Sequence, residues 1–420
     1  MAIRPTVHVV GHRLSPEGHR VRDFLTRIAQ PFEFHDDESP EARRLLEEAG
    51  ADGAELPVVI DEGIVRPGDV AALADAWGIT ARPSKLHYDI AIIGAGPAGL
   101  AAAVYAASDG LQTIVFERDV PGGQASHTSM IENFFGFPEG IGGAELARRA
   151  GRQAEQFGAE LMILSGVAAG RLEDGRMRLR SDGGDEISSD VTLACPGMVW
   201  RTLEVDGVDE LLGRGVYYGA GRSEGQQCRG DEVVVIGAGN SAGQASMHLA
   251  DSGARVRMIV RGDSLSKSMS AYLVARIDHH PMIDVHLRSR VVALHEALGW
   301  LAAVDISDAG GHTERLPCRA LFICIGGQPR TGWAAETGIT TDAAGYLLTG
   351  PDLLDKGHRP EGWPLDRDPL VLETSVPGIF AAGDVRHGSI KRVGGAVGEG
   401  ATAVALAHRR LDELSAGGAP

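Results

Sequence analysis

The sequence predicts an α/β protein made of two doubly wound, Rossmann-like units, the second inserted in the first, behind a small mixed α/β unit. Three observations predict it. Gly94-Ala-Gly96-Pro97-Ala98-Gly99 follows the apolar run Tyr88–Ile93. A second such segment, Gly237-Ala-Gly239-Asn240-Ser241-Ala242, follows Glu232–Ile236, with Gly237 143 residues beyond Gly94. Ahead of both, residues 1–84 carry their own alternation of short apolar runs and amphipathic stretches. The boundaries read from these patterns are 1–84 for the first unit and 206–325 for the inserted one, with 87–205 and 326–420 as the two parts of the outer unit.

Each glycine segment follows a β-branched run and opens a small-residue helical stretch, the strand–turn–helix context a dinucleotide fingerprint requires. The first glycine permits the tight turn and the second lets the backbone approach a pyrophosphate. The third, or Ala242 in its place, lets helix pack on strand. A pyrophosphate then rests on free N–H groups at the helix N-terminus. Two dinucleotide sites in one chain imply that one cofactor reduces another.

The strand that follows each fingerprint tells the nucleotides apart. Thr113–Phe116 ends at Glu117-Arg118, and an acid there accepts hydrogen bonds from ribose hydroxyls. In the second unit Val256–Val260 ends at Arg261, with Ser264, Ser266, Lys267 and Ser268 beyond it. A cation and hydroxyls at that place suit a 2′-phosphate and favour NADPH over NADH, through Arg261 with help from Lys267. Asp263 argues the other way, and a solvated basic loop is the alternative.

Further landmarks run through the chain in order: Gly122-Gly123-Gln124, Ile131-Glu-Asn133-Phe-Phe-Gly136, Gly215-Val-Tyr-Tyr218, Leu321–Thr331, and Thr374-Ser-Val-Pro-Gly-Ile-Phe-Ala-Ala-Gly383-Asp384. With these motifs the chain resembles a bacterial thioredoxin reductase from about residue 86 to its end. The resemblance implies FAD in the first site, beside Gly94, Gly96, Pro97, Ala98, Gly99, Glu117, Arg118, Gly123, Gln124, Asn133, Gly383, Asp384, Arg392 and Val393. NADPH is implied in the second site, beside Gly237, Gly239, Asn240, Ser241, Ala242, Arg261 and Lys267. A homodimer is implied as well.

The departures matter as much. Thioredoxin reductases carry C-x-x-C shortly before the second fingerprint, where this chain reads Tyr218-Gly219-Ala220-Gly221-Arg222-Ser223-Glu224. Thiol–disulfide exchange needs an attacking and a leaving thiolate, and neither can form there. The four cysteines, Cys195, Cys228, Cys318 and Cys324, make no close pair and read as small buried hydrophobes. Cys195-Pro196-Gly197 stands where the family commonly has Ala-Thr-Gly. No metal site is expected, since His279-His280-Pro281 are adjacent and suit no usual ligand spacing.

The first unit reads as strand 6–10, helix 17–28, strand 32–34, helix 40–49, strand 56–60 and helix 69–77, with a turn at 61–63 and a linker at 81–86. This order resembles glutaredoxin, which implies a thioredoxin-like fold and a cis Pro57. Where glutaredoxins carry C-P-x-C, the chain has Ser15-Pro16-Glu17-Gly18, so the unit cannot shuttle electrons through a disulfide. Docking a partner or protein electron acceptor, covering a surface, assisting dimerisation and serving as a structural appendage all stay open for it.

A net charge of −17 argues against nucleic-acid binding. No 18-residue apolar run is present, and Met1-Ala-Ile-Arg-Pro has no apolar signal core, so no membrane association is expected. Few, unpaired cysteines fit a reducing cytoplasm. Residues 350–367 have no counterpart in the short thioredoxin reductases, and Trp363 within them could cover a flavin face, anchor a partner or pack on the surface.

The function expected is NADPH oxidation by an FAD enzyme that has lost disulfide chemistry, with an unidentified acceptor and no side chain needed as acid or base. Arg222, Glu224, His387 and Glu399 fall near the flavin by register. One rival is a ferredoxin–NADP reductase-like enzyme, whose acidic partner the net charge of −17 disfavours. The other is a non-catalytic flavin-binding sensor or scaffold.

Overall fold

The computed structural model describes residues 5–13, 15–79, 82–128, 130–173, 175–219 and 227–417. Arg222 and Glu224 lie outside the described residues, as does most of the 219–224 segment beyond Gly219.

The first unit runs β1 (Val7–Gly11), α1 (Pro16–Arg27), β2 (Phe32–Asp36), α2 (Pro40–Glu48), β3 (Val58–Asp61), β4 (Ile64–Pro67) and α3 (Val70–Ala76). Its sheet order is β2-β1-β3-β4, with β2 parallel to β1 and the hairpin strands antiparallel. All three helices start at a side-chain cap: Ser15, Ser39 and Asp69 accept from the N–H groups of Gly18, Ala42 and Ala72. In the first two a proline follows at the opening position, where its missing N–H costs nothing. The Leu56–Pro57 peptide is cis, as the glutaredoxin resemblance implied.

The outer unit begins with β5 (His87–Ile93), α4 (Pro97–Ser108) and β6 (Thr113–Phe116), then α5 (Gly143–Gln156), β7 (Glu160–Met162), β8 (Val167–Glu173), β9 (Arg176–Ser181) and β10 (Glu186–Ala194). The chain leaves it through β11 (Met198–Trp200) and enters the inserted unit. There β12 (Val216–Tyr218), β13 (Glu232–Ile236), α6 (Asn240–Asp251), β14 (Arg255–Val260), α7 (Ala271–Asp278) and β15 (Ile283–Leu287) are followed by a meander, β16 (Arg290–Ala297), β17 (Trp300–Ser307) and β18 (Thr313–Pro317), then β19 (Ala320–Ile323). The return strand β20 (Gly327–Pro329) pairs with β11, so a two-stranded antiparallel ribbon joins the units. β21 (Ile379–Ala381) then pairs in parallel with β10, and α8 (Val393–Gly417) completes the outer unit.

The two parallel cores run β7-β6-β5-β10 and β12-β19-β13-β14-β15. Both faces of the first are covered, which is why its strands are almost continuously apolar. Ile90 and Ile92 face α4 and α8, while Ala91 and Ile93 face Trp333 and Ile379 on the other side. The alanine-rich α4 lets α8 approach to backbone contact: a Cβ on Gly400 would lie 2.1 Å from the Ala98 carbonyl oxygen.

The first unit docks on both nucleotide units. Val7, Phe24, Leu25 and Ile28 share one core with Val120 and Ile163 of the outer unit. Beside that core, buried Arg27 donates to Asp119 at 2.6 Å and to the Ser126 hydroxyl at 3.2 Å. Toward the inserted unit, the His19 ring lies 4.7 Å from Tyr217, His12 stacks on Trp300, and Arg13 donates to the Gln227 carbonyl at 3.1 Å. The linker is held too, with the Ser84 N–H donating to Glu160 at 2.9 Å. Residues 350–367 fold back on α8: Arg367 bridges buried Glu373 and Glu413, and Trp363 donates to the Arg367 carbonyl. Trp363 therefore packs within its own segment and does not line the cleft described below.

Losing a buried charged hydrogen-bond donor costs roughly 1.5–3 kcal/mol. Arg27→Ala should therefore loosen the first unit from the outer unit, giving an earlier first transition in urea and faster proteolytic cutting within 82–86. An unchanged unfolding curve and unchanged cutting would show that apolar packing alone holds the interface.

Candidate functional site

The glycines of the two fingerprints sort themselves by what a side chain would meet. At Gly94 (φ +97°) an added Cβ would lie 2.3 Å from the carbonyl oxygen of Cys195, and at Gly99 one would lie 1.9 Å from that of Gly94. Gly237 (φ +141°) repeats the first contact, 2.3 Å from the carbonyl oxygen of Cys324. These positions are glycine because protein backbone fills the space. Gly96 and Gly239 differ: a Cβ on either meets nothing within 4 Å. Both are the N-caps of their helices, α4 and α6, and neither cap makes a side-chain hydrogen bond. The first-turn N–H groups thus face open space, the arrangement a pyrophosphate fills.

At Gly96 that space is a cleft of about 430 Å³. Pro97, Ala98, Glu117, Gly123 and Gln124 line one side of it, and Gly383, Asp384, Arg392 and Val393 another. Glu117 is fixed at the end of β6 by two backbone donors, Ala95 N–H at 2.7 Å and Asp119 N–H at 3.0 Å. Burial pushes its carboxyl pKa up, while those two donors oppose the shift. Each oxygen accepts one of these bonds and has capacity for another, and Glu117 lines the cleft where a ribose hydroxyl could donate it. Gln124 donates to the Met198 carbonyl at 3.1 Å, tying the cleft floor to the ribbon. Asp384 sits at a 3-10 turn whose Gly383 N–H donates to Glu399 at 2.7 Å. Burial raises the Asp384 pKa, and nearby Lys391 opposes that. Glu399 thus acts on the cleft through the Gly383 turn. His387 pairs with Asp342 at 2.8 Å and does not line the cleft.

Three residues expected at the cofactors stand elsewhere or are engaged. Arg118, in the bend that follows β6, is exposed and pairs with Asp182 at 3.3 Å. Asn133 is exposed on a loop whose Glu132 pairs with Arg276 of the inserted unit at 3.1 Å. Lys267 pairs with Asp263 at 2.7 Å, the acid that weighed against a phosphate here. Arg261 is exposed at the end of β14, and Asn240 accepts from the Ser270 N–H at 2.7 Å, holding the loop that follows Arg261.

Ser241, in the first turn of α6, lines the same cleft as Gly96 and Asp384. The second fingerprint therefore opens toward the first. Trp200, His127, Met198 and Arg330 also line the cleft, and none of them was marked by the sequence as a site residue. Trp200 reaches it from β11 and lies 3.5 Å from where a Gly219 Cβ would be. The four cysteines are buried and form no disulfide. Burial pushes the Cys195 and Cys318 thiols up, and the Cys324 thiol up to about 12. A thiol so raised is not a nucleophile at neutral pH. No described helix is long and apolar enough to cross a membrane.

Comparison with known proteins follows this geometry. A family model of pyridine nucleotide-disulphide oxidoreductases matches residues 88–400, leaving the first unit outside the match. The thioredoxin reductase of Bacillus subtilis is 33% identical over 328 residues, covering 78% of this chain and 96% of the relative. That of Treponema pallidum is 34% identical over 331 residues, covering 79% and 99%. Among solved structures, Lactococcus lactis thioredoxin reductase in its FR conformation superposes with a TM-score of 0.69 at 29% identity, covering 78% of this chain and 99% of that one. The thioredoxin reductase of T. acidophilum superposes at 0.68 with 26% identity, covering 79% and 100%.

The glycine geometry separates ligand from scaffold experimentally. Gly96→Val should leave a folded protein, with circular dichroism and melting close to the parent, that purifies without flavin colour. Gly99→Val should lose about 3 kcal/mol or more, as overpacking against backbone does. Full flavin content in Gly96→Val protein would overturn the reading of that space as the pyrophosphate seat.

Proposed function

The chain belongs to the pyridine nucleotide-disulphide oxidoreductase family, and from that premise we propose that it is an oxidoreductase drawing on NADPH through FAD to reduce an acceptor that is not a disulfide. The family uses both cofactors. Bound FAD would supply the hydride acceptor, and the protein supplies binding, orientation and exclusion of water.

In this reading the N–H groups behind Gly96 hold one pyrophosphate, Glu117 the ribose hydroxyls, and Asp384 the ribityl side of FAD. Arg392 and Val393 stand at the pyrimidine edge. The N–H groups behind Gly239, with Ser241, hold the pyrophosphate of NADPH, and Arg261 its 2′-phosphate. No side chain is assigned as acid or base, since hydride transfer requires none. One observation carries the proposal: Ser241 and Gly96 share a cleft, while position 219 is glycine and position 222 arginine. Residues 1–84 then serve as a degenerate glutaredoxin-like unit on which a protein acceptor could dock. A cytoplasmic homodimer completes the reading, in line with the family.

Anaerobic titration tests it directly. Stoichiometric NADPH should bleach the flavin of the purified protein, and a flavin that stays oxidised would leave only a non-catalytic flavoprotein. Losing a charge-assisted phosphate contact weakens binding by roughly ten-fold or more. Arg261→Ala should accordingly raise the KM for NADPH by that factor and leave the KM for NADH nearly unchanged. Equal effects on both coenzymes would make Arg261 structural.

Thioredoxin and aromatic disulfides should be reduced no faster by the native chain than by a variant with all four cysteines changed to Ser. A disulfide relay needs two Cα atoms within about 7 Å, and positions 15, 18, 219 and 222 hold no thiol. Robust turnover that vanishes in the four-Ser variant would refute the non-disulfide acceptor.

A further inference from the structure

Strand register in the first unit assembles a cluster that the sequence does not announce. β1 and β2 are parallel, with His8 opposite Glu33 and Val10 opposite His35. Side chains two apart on a strand share a face, so His8, Glu33 and His35 emerge together beside α2. The atoms that meet are His8 Nδ1, His35 Nε2 and Glu33 Oε2. Their separations are 3.1 Å between the two nitrogens, 3.6 Å from His8 to Glu33 and 4.0 Å from His35 to Glu33. Among the described residues this is the one group of three such ligands within reach of one another.

These separations can be tested against a metal ion without placing one. The circle through the three atoms has a radius of about 2.1 Å, so a single point lies that far from all of them. Zinc binds imidazole nitrogen at about 2.0–2.1 Å and carboxylate oxygen at about 2.0–2.2 Å. Tetrahedral ligands at those lengths stand about 3.4 Å apart, so a tetrahedral ion asks the exposed Glu33 carboxylate to close on the rings by a few tenths of an ångström. Without a metal, a hydrogen bond joins the two rings and the carboxylate stands within ion-pair distance of both, so a metal would replace these three contacts with one shared partner. A second carboxylate, Glu41 in the first turn of α2, acts on His35 electrostatically and strengthens the field for a cation. The edge position of β2 leaves the site open for water as a further ligand.

We propose that His8, Glu33 and His35 bind a divalent transition-metal ion of the zinc class, in an open two-histidine, one-carboxylate site. The ion would pin the edge strand β2 to β1. It lies in the first unit, outside the nucleotide cleft and independent of the cofactor reading. Two histidines and a carboxylate also suit other first-row divalent ions, so Co²⁺ serves as a spectroscopic probe for Zn²⁺.

The test uses the full-length, tag-free protein, titrated with Co²⁺ and then displaced by Zn²⁺. One saturable equivalent should appear by visible d–d absorption and by calorimetry, and Zn²⁺ should raise the melting temperature as any ligand of the native state does. His8→Ala and His35→Ala should each weaken binding by roughly 100-fold or more, beyond what loss of an outer-shell partner costs. Glu33→Gln, at a side chain 63% exposed, leaves the fold undisturbed and should weaken binding as well. A His279→Ala/His280→Ala variant removes the adjacent histidine pair of the inserted unit, away from this site, and should bind like the parent. Absence of a saturable equivalent, or binding unchanged in the His8→Ala/His35→Ala and Glu33→Gln proteins, would overturn the site.

Discussion

Both nucleotide units depend on one close approach of backbone to backbone. In each, the first glycine of the fingerprint turns under the carbonyl of a cysteine that ends the neighbouring strand, Gly94 under Cys195 and Gly237 under Cys324. β5 lies beside β10 and β13 beside β19, so the same parallel pair ends at the same contact twice. Only glycine fits there, because it accepts the positive φ and has no Cβ to strike the carbonyl. The tight turn that follows aims the helix N-terminus outward. Everything the cleft can bind follows from that aim. The cysteines are a consequence as well: they are small, lie under the turn, and burial holds their thiols protonated.

The units are then fixed relative to each other by elements that touch both. The β11–β20 ribbon is the covalent crossing, and the Glu132–Arg276 pair spans the units away from it. The first unit adds a third connection, through Arg27 to the outer unit and through His12, Arg13 and His19 to the inserted one. An interface that combines a shared apolar core with a buried arginine is not that of a tethered appendage. It holds the first unit against both nucleotide units.

Local signals were legible in the sequence and tertiary ones were not. The strands ending at Glu117 and Arg261, the helices capped by Ser15, Ser39 and Asp69, and both fingerprints follow from neighbours within a few residues. The resemblance implies Arg118 beside the cofactor, yet it pairs with Asp182 across the sheet end. Lys267 suits a phosphate by charge, but Asp263, four residues earlier in the same loop, pairs with it. Trp200 and His127 reach the cleft only because the ribbon and the 123–127 turn converge there, and no periodicity encodes that. The His8, Glu33 and His35 group is hidden for the same reason, since it exists only once β1 and β2 pair in one register.

The start of α1 and the β12 strand that leads to Gly219 are neighbours in space. Pro16, which follows the Ser15 cap of α1, packs on Gly213, where a Cβ would lie 2.9 Å from the Pro16 Cα. A cavity of about 320 Å³ is lined by Pro16 and His19 on one side and by Tyr217, Tyr218 and Gly219 on the other. The start of α1 in the first unit therefore faces Gly219 across this cavity. Positions 15–18 and 219–224 both lack cysteine. The cavity between them is lined by aromatic rings, His19, Asp23 and His127, with the wall of the nucleotide cleft at His127 common to both.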